Sequence, residues 1–299
     1  MNIFINSDEQ RLRTLWRLLS LILINLIIAI PVGFLLTLVE VPNQISDLVQ
    51  PLIFTASILL TARWIDKRSM KSIGMKVDRR WFWDFAYGTM AAGLVMSIVF
   101  GISYSADWLR VQSYGWEQNS FWLGMAYYLA LMVLVGIWEE LAFRGYLINN
   151  LSEGLRGSTV STTQAVAISV IFTSVLFGAA HIFNPNSSWI SSTNIMLAGL
   201  VLAVPYIFTG QLGVSVGAHF GWNFFQGGLY GFPVSGRSSK YTFQNTTETG
   251  PDTWTGGAFG PEAGLLGIIA LGLLLIFFIR HARYAGHNMN VKISLKEPV

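Results

Sequence analysis

The stretch "GIWEELAFRGYL", residues 136–147, sets Glu139, Glu140 and Arg144 inside an apolar run that extends from about 121 to 150. A helix crossing the roughly 30 Å hydrocarbon layer needs roughly 17–25 mostly apolar residues. This run is long enough, yet it carries three charges, and each costs about 2.5–3.5 kcal/mol at the bilayer centre on the most lenient scale. Such groups persist only where they pair with one another or face a wet cavity, so the segment reads as one wall of a polar chamber within a helical bundle.

The rest of the chain agrees with a bilayer environment. Of its 299 residues 53% are hydrophobic and only 12% charged, against about 25% charged in an average soluble domain. Apolar runs near 17–39, 49–65, 83–105, 121–150, 164–183, 194–209, 211–230 and 262–280 give about eight candidate spans. Backbone groups left unpaired in lipid are costly, and the alternation of a barrel strand is missing, so the spans are expected to be helices of an all-α polytopic transmembrane bundle. The eleven Trp and ten Tyr suit headgroup-depth positions at many membrane–water interfaces.

Basic residues orient the bundle, because short loops rich in Lys and Arg stay cytoplasmic. "RWIDKRSMKSIGMKVDRR", residues 63–80, holds seven of them; Arg11, Arg13 and Arg17 precede the first span, and Arg280, Arg283, Lys292 and Lys296 follow the last. Eight spans bring all of these, and both termini, to the cytoplasmic side. Only Arg110, Arg237 and Lys240 fall on the other. "SMKSIGMKVD" reads equally as an interfacial helix or a solvated basic loop. The chain forms a single integral-membrane domain over 1–299, with a non-cytoplasmic loop at 231–261 whose Gly, Ser and Thr content suggests a mobile lid. No basic groove or nucleic-acid motif is present, and with no cysteine disulfides, thiolate metal ligands and a cysteine nucleophile are excluded.

Glu140 and Arg144 are i and i+4, so they can pair along one helix face. Glu139 lies about 100° around the same helix and is free to face another; a buried packing network is the alternative for all three. His181 closes "FGAAHIF", and His219 and Asn223 in "HFGWN" are again i and i+4. A carboxylate with a nearby imidazole can take a proton from water, and an imidazole N–H with an amide N–H can donate to an oxyanion. That set suits peptide hydrolysis by activated water. No H-E-x-x-H occurs, and no Asp lies well inside a span. "GVSVG", residues 213–217, matches G-x-S-x-G, but Ser215 lacks the preceding strand of a nucleophile elbow, and small residues are common at membrane helix contacts.

"EELAFRG", "FGAAH" and "HFGWN" together resemble the E-E-x-x-x-R, F-x-x-x-H and H-x-x-x-N motifs of the CPBP intramembrane proteases, also called the type II CAAX prenyl endopeptidase or Abi family, in that order and within a core of about 120–230. "GPDTWTGGAFGPE" is similar to the carboxy-terminal loop of a bacterial subgroup. The resemblance implies an endopeptidase of a bacterial cell membrane that cleaves a membrane-associated peptide or protein. Glu139 and His181 would activate water, His219 and Asn223 would stabilise the oxyanion, and Glu140 and Arg144 would support them. It leaves a zinc ion open, for which Glu139, His181 and His219 would be the ligands; the metal-free mechanism is favoured. Access to the chamber is expected mainly from the cytoplasmic side. Two rivals stand beside the protease: a non-catalytic membrane binding or immunity protein using the same polar chamber, and a proton-coupled transporter, which the absence of internal repeats disfavours.

Overall fold

The computed structural model describes residues 3–6, 10–284, 290–293 and 295; Lys296, counted above among the basic residues, lies outside them. A two-residue ladder of β1 (Ile5–Asn6) and β2 (Arg11–Leu12) precedes α1 (Thr14–Leu38). Next come α2 (Asn43–Leu60), prolonged by a π-helical turn over Thr61–Ile65, then α3 (Arg79–Ser105) and β3 (Leu109–Tyr114). In α4 (Phe121–Glu140) the helix passes through a π-helical stretch, Leu141–Ile148, into α5 (Asn149–Leu155). After α6 (Thr162–Ala180) and α7 (Trp189–Thr209), α8 (Gly213–Asn223) likewise runs on as a π-helix over Phe224–Leu229. β4 (Gln244–Glu248), the short α9 (Asp252–Thr255) and α10 (Leu265–Tyr284) follow.

Seven of these helices are long and apolar enough to cross a membrane: Thr14–Leu38, Asn43–Ile65, Arg79–Ser105, Phe121–Leu155, Thr162–Ala180, Trp189–Thr209 and Leu265–Tyr284. The eighth segment expected from the sequence is α8 with its π-helical extension. It is shorter than the others, and every residue of α8 is buried. The protein is an all-α, multi-pass integral membrane protein. Its outer surface shows why: Leu15, Ile22, Leu23, Ile27, Ile30 and Phe34 of α1 are exposed, which only lipid makes favourable over so long an apolar face.

α8 is the central post of the bundle, and its glycines put it there. A Cβ on Gly213 would lie 2.7 Å from Trp81 O, one on Gly217 2.0 Å from Phe85 O, and one on Gly221 2.6 Å from Thr89 O. These three positions, four apart, form the stripe on which the α3 backbone rests, and Gly88 answers from α3, its Cβ position 2.2 Å from Val214 O. Helices without a solvent-driven attraction associate through such close backbone approach. The other face of α8 carries His219 and Asn223.

The two ends of the bundle differ. At one, Glu153 of α5 accepts from Arg11 (2.7 Å), Arg17 (2.9 Å) and Arg68. Asp66 accepts from Asn150 Nδ2 (2.9 Å) and the Tyr146 hydroxyl (3.3 Å). Arg11 and Arg17, read from the sequence as orienting charges, are thus also buried structural groups. Burial pushes the Asp66 carboxyl up, against the nearby arginines, and holds Arg68 down at about 10. "SMKSIGMKVD" contributes a 3₁₀ turn, Met70–Ile73, with Ile73 fully buried. Lys292 N–H donates to Ile207 O at the same end. At the opposite end β3 and β4 pair antiparallel, Leu109 with Glu248 and Tyr114 with Gln244. The loop expected as a mobile lid is folded there into β4, α9 and the 3₁₀ turns Gly257–Phe259 and Pro261–Ala263.

Candidate active site

Glu139 and Glu140 end the regular part of α4, where the helix widens into its π-helical stretch, and Asn223 stands at the same kind of transition in α8. Such π-helical insertions recur at functional sites, because they re-aim side chains within an otherwise continuous helix. Despite the widening, Arg144 Nη1 donates to Glu140 Oε1 at 2.8 Å, as the i, i+4 spacing predicts. The other guanidinium nitrogen donates to Gly199 O at 3.1 Å, and the group sits 4.6 Å from the centroid of the Phe177 ring. This satisfies a cation in a place where water cannot.

Glu140 does more than the sequence indicated. Its Oε1 also lies 2.8 Å from His219 Nδ1, while His219 Nε2 is 3.7 Å from Glu139 Oε2. An ionised carboxylate only accepts, so a hydrogen bond to Glu140 puts a proton on Nδ1 of His219. Glu139 Oε2 has no hydrogen-bond partner among the described residues.

His181 comes just after α6. Its Nδ1 is 2.7 Å from Phe177 O, and a carbonyl can only accept, so Nδ1 carries the proton and the Nε2 of the neutral ring is bare. Phe177 packs edge-on against both His181 (ring centroids 5.0 Å) and His219 (6.1 Å), holding the two imidazoles from behind.

Glu139, His181, His219 and Asn223 line one cavity of about 920 Å³. Among the described residues His181 makes no hydrogen bond to Glu139 or to His219; they share the space. Glu140 and Arg144 stand behind the wall. Among the described residues no group of three His, Asp or Glu side chains is arranged to hold a metal ion; His219 offers one nitrogen to Glu140, and His181 stands apart. Glu139, His181 and His219 therefore do not form a ligand set here, and no step below passes through a metal.

A further carboxylate, Glu262, lines the same cavity. Ser235 N–H and the Ser235 hydroxyl donate to its Oε2 at 2.5 and 3.2 Å. Phe259 and Ala263 beside it pack on Phe177, Ile195 and Phe143. Burial pushes this carboxyl up, while Ser235 and the nearby His181 oppose the shift. The sequence reading assigned Glu262 to the start of the last helix. The 3₁₀ turn instead directs it inward, and only the placement of loop 231–261 over the chamber makes that visible.

Ser215 has a structural contact: fully buried, its Oγ donates to Leu202 O at 2.8 Å. The flanking glycines of "GVSVG" serve the α3 contact described above.

The cavity's mouth is lined by Asn43, Asp47, Tyr127, Asn184, Ser238 and Lys240. All belong to the end opposite the basic segments. The lining thus favours access from the end opposite the basic segments, against the expectation from the sequence. Leu141, Tyr146, Ile73 and Leu212, each fully buried, close that side. Depth along a helix can be counted from sequence, but which end side chains plug depends on how neighbouring helices interlock.

A multi-helix membrane domain with a buried polar chamber is thus the class of protein defined by fold and site. Residues 120–225 match the family model described as "Rce1-like: Type II CAAX prenyl endopeptidase Rce1-like". Residues 120–225 are thus similar to this CAAX-type protease family, and the match covers Glu139, Glu140, Arg144, His181, His219 and Asn223 but not Glu262. No curated protein and no solved structure matches the chain.

Proposed function

We propose that the protein is an intramembrane endopeptidase that hydrolyses a peptide bond of a membrane-associated protein or peptide, in a bacterial cell membrane. One observation carries the proposal: side chains able to activate water and to bind an oxyanion come from three helices to a single buried cavity. The match of residues 120–225 to a protease family supports the reaction class, and the similarity of "GPDTWTGGAFGPE" to a bacterial subgroup supports the source.

In this mechanism Glu139 takes a proton from a water molecule, assisted by the bare Nε2 of His181, and the water oxygen bonds to the scissile carbonyl carbon. The electron pair moves to the carbonyl oxygen, where His219 Nε2–H and the Asn223 amide donate. Two such donors held in a water-poor site stabilise developing charge far better than in bulk water. The intermediate collapses, the C–N bond breaks, and the amine leaves with the proton that Glu139 accepted. His219 must carry both protons to donate from Nε2, and the carboxylates at 2.8 and 3.7 Å supply the charge that allows it. The mechanism uses only the chain's own groups. Glu262, facing the same space, is proposed to orient His181.

The decisive experiment is turnover by the purified Glu139→Gln variant. The change is nearly isosteric and removes the base alone. Cleavage at the wild-type rate would sink the proposal, whereas complete loss with an unchanged fold supports it. A non-catalytic binding protein would keep its biological effect in this variant.

A further inference from the structure

We infer that the chamber is entered from the non-cytoplasmic side of the membrane, so that the substrate is a peptide segment exposed at that face: the juxtamembrane or terminal part of an exported or membrane-anchored chain. This rests on the protease proposal for the word substrate, but its access argument does not.

Two independent observations meet. The first is charge. Of the 19 Lys and Arg residues, Arg144 lies within a span, and only Arg110, Arg237 and Lys240 lie at the mouth end of the bundle. Every other one among the described residues belongs to the opposite end. So one-sided a distribution across short loops holds the basic end in the cytoplasm. The structure verifies that these segments do share an end: Arg11 and Arg17 reach Glu153 with Arg68, Leu212 N–H donates to Gly74 O, and Lys292 N–H donates to Ile207 O.

The second is the shape of the cavity. Its lining takes residues from the first turns of α2 (Asn43, Asp47), the first turns of α4 (Tyr127), the exit of α6 (Asn184) and the segment after α8 (Ser238, Lys240). None comes from 63–80, 145–161, 207–213 or 290–295. Counted along their helices, the lining residues nearest the basic end are Phe143, Leu202, Ala218 and Leu274, and the fully buried Tyr146, Ile73 and Leu212 lie beyond them. The lining thus leads from the mouth to Glu139 and His219, and the charge distribution turns that mouth away from the cytoplasm.

The chain has no cysteine, which makes the test direct. Ser238→Cys places a single thiol at the exposed mouth, and Lys71→Cys places one on the exposed basic loop. Neither is part of the proposed machinery. In intact cells making the full chain, a membrane-impermeant maleimide should label Ser238→Cys, and Lys71→Cys only after permeabilisation. The reverse pattern, or labelling of Ser238→Cys only after permeabilisation, overturns the inference. For the substrate, short randomised segments are attached to a single-span carrier on one side of the membrane or the other. Cleavage is expected only for segments on the side of Ser238, and none with Glu139→Gln. Cleavage on the Lys71 side overturns the substrate assignment. Labelling of Ser238 with neither set cleaved would refute the protease proposal while leaving the access assignment intact.

Discussion

The carboxylate of Glu140 is shared: Oε1 lies 2.8 Å from both Arg144 Nη1 and His219 Nδ1. One oxygen thus links a cation that holds the helices together to an imidazole that faces the chamber. The two partners should respond differently to substitution. Arg144→Ala leaves Glu140 buried without its cation, which costs about 3–5 kcal/mol in comparable buried pairs. Thermal unfolding in detergent should show a large loss of stability, with residual turnover in the fraction that folds. His219→Ala should abolish turnover with a smaller loss of stability.

Glu140→Gln tests the charge balance itself. The amide can still accept at one oxygen, yet it removes one of the two negative charges facing His219. Turnover should fall by about 10²–10³, the loss seen when one oxyanion donor is disabled. If the rate stays within about threefold of wild type, a neutral His219 is catalytically sufficient and the doubly protonated form is wrong.

Glu262 predicts a pH effect on stability. Its folded-state pKa is raised by burial, so its contribution is fully present below the ordinary glutamate range and is lost as pH rises through the raised value. Wild type should lose unfolding temperature over that window, and Glu262→Gln, which cannot ionise, should not. If Glu262 also orients His181, the same variant should displace the pH dependence of kcat; a purely structural role leaves that profile unmoved.

The contact between α3 and α8 sets the axial position of His219 and Asn223. Gly217→Ala puts a Cβ 2.0 Å from Phe85 O, closer than any real contact, and overpacking of this kind costs about 1–3 kcal/mol. Stability and turnover should fall together. Ser215→Ala, by contrast, removes only the hydrogen bond to Leu202 O and should keep full turnover. Loss of all activity there would revive a serine nucleophile.

Treatment with a strong zinc chelator should leave the rate of the purified enzyme unchanged. Glu139, His181 and His219 are not arranged as a ligand set among the described residues. Inhibition reversed by added zinc would show that these groups converge on a metal after all.

Much of this protein was legible in the order of its residues. Apolar runs of bilayer length fix where helices must form, because lipid offers unpaired backbone groups nothing. The i, i+4 spacing of Glu140 and Arg144 was enough to predict their ion pair, since local helix geometry alone brings them together. Three elements were decided only by tertiary structure. Glu140 meets His219 across 79 residues, a contact set by the Gly213, Gly217 and Gly221 stripe that seats α8 against α3. Glu262 turns inward because loop 231–261 folds over the chamber rather than waving free. The mouth opens at one end because Leu141, Tyr146, Ile73 and Leu212 interlock at the other. Sequence determines what a helix can do along its own length; which of its faces meets a neighbour, and which gap stays open, is settled by packing between helices that the chain order does not place side by side.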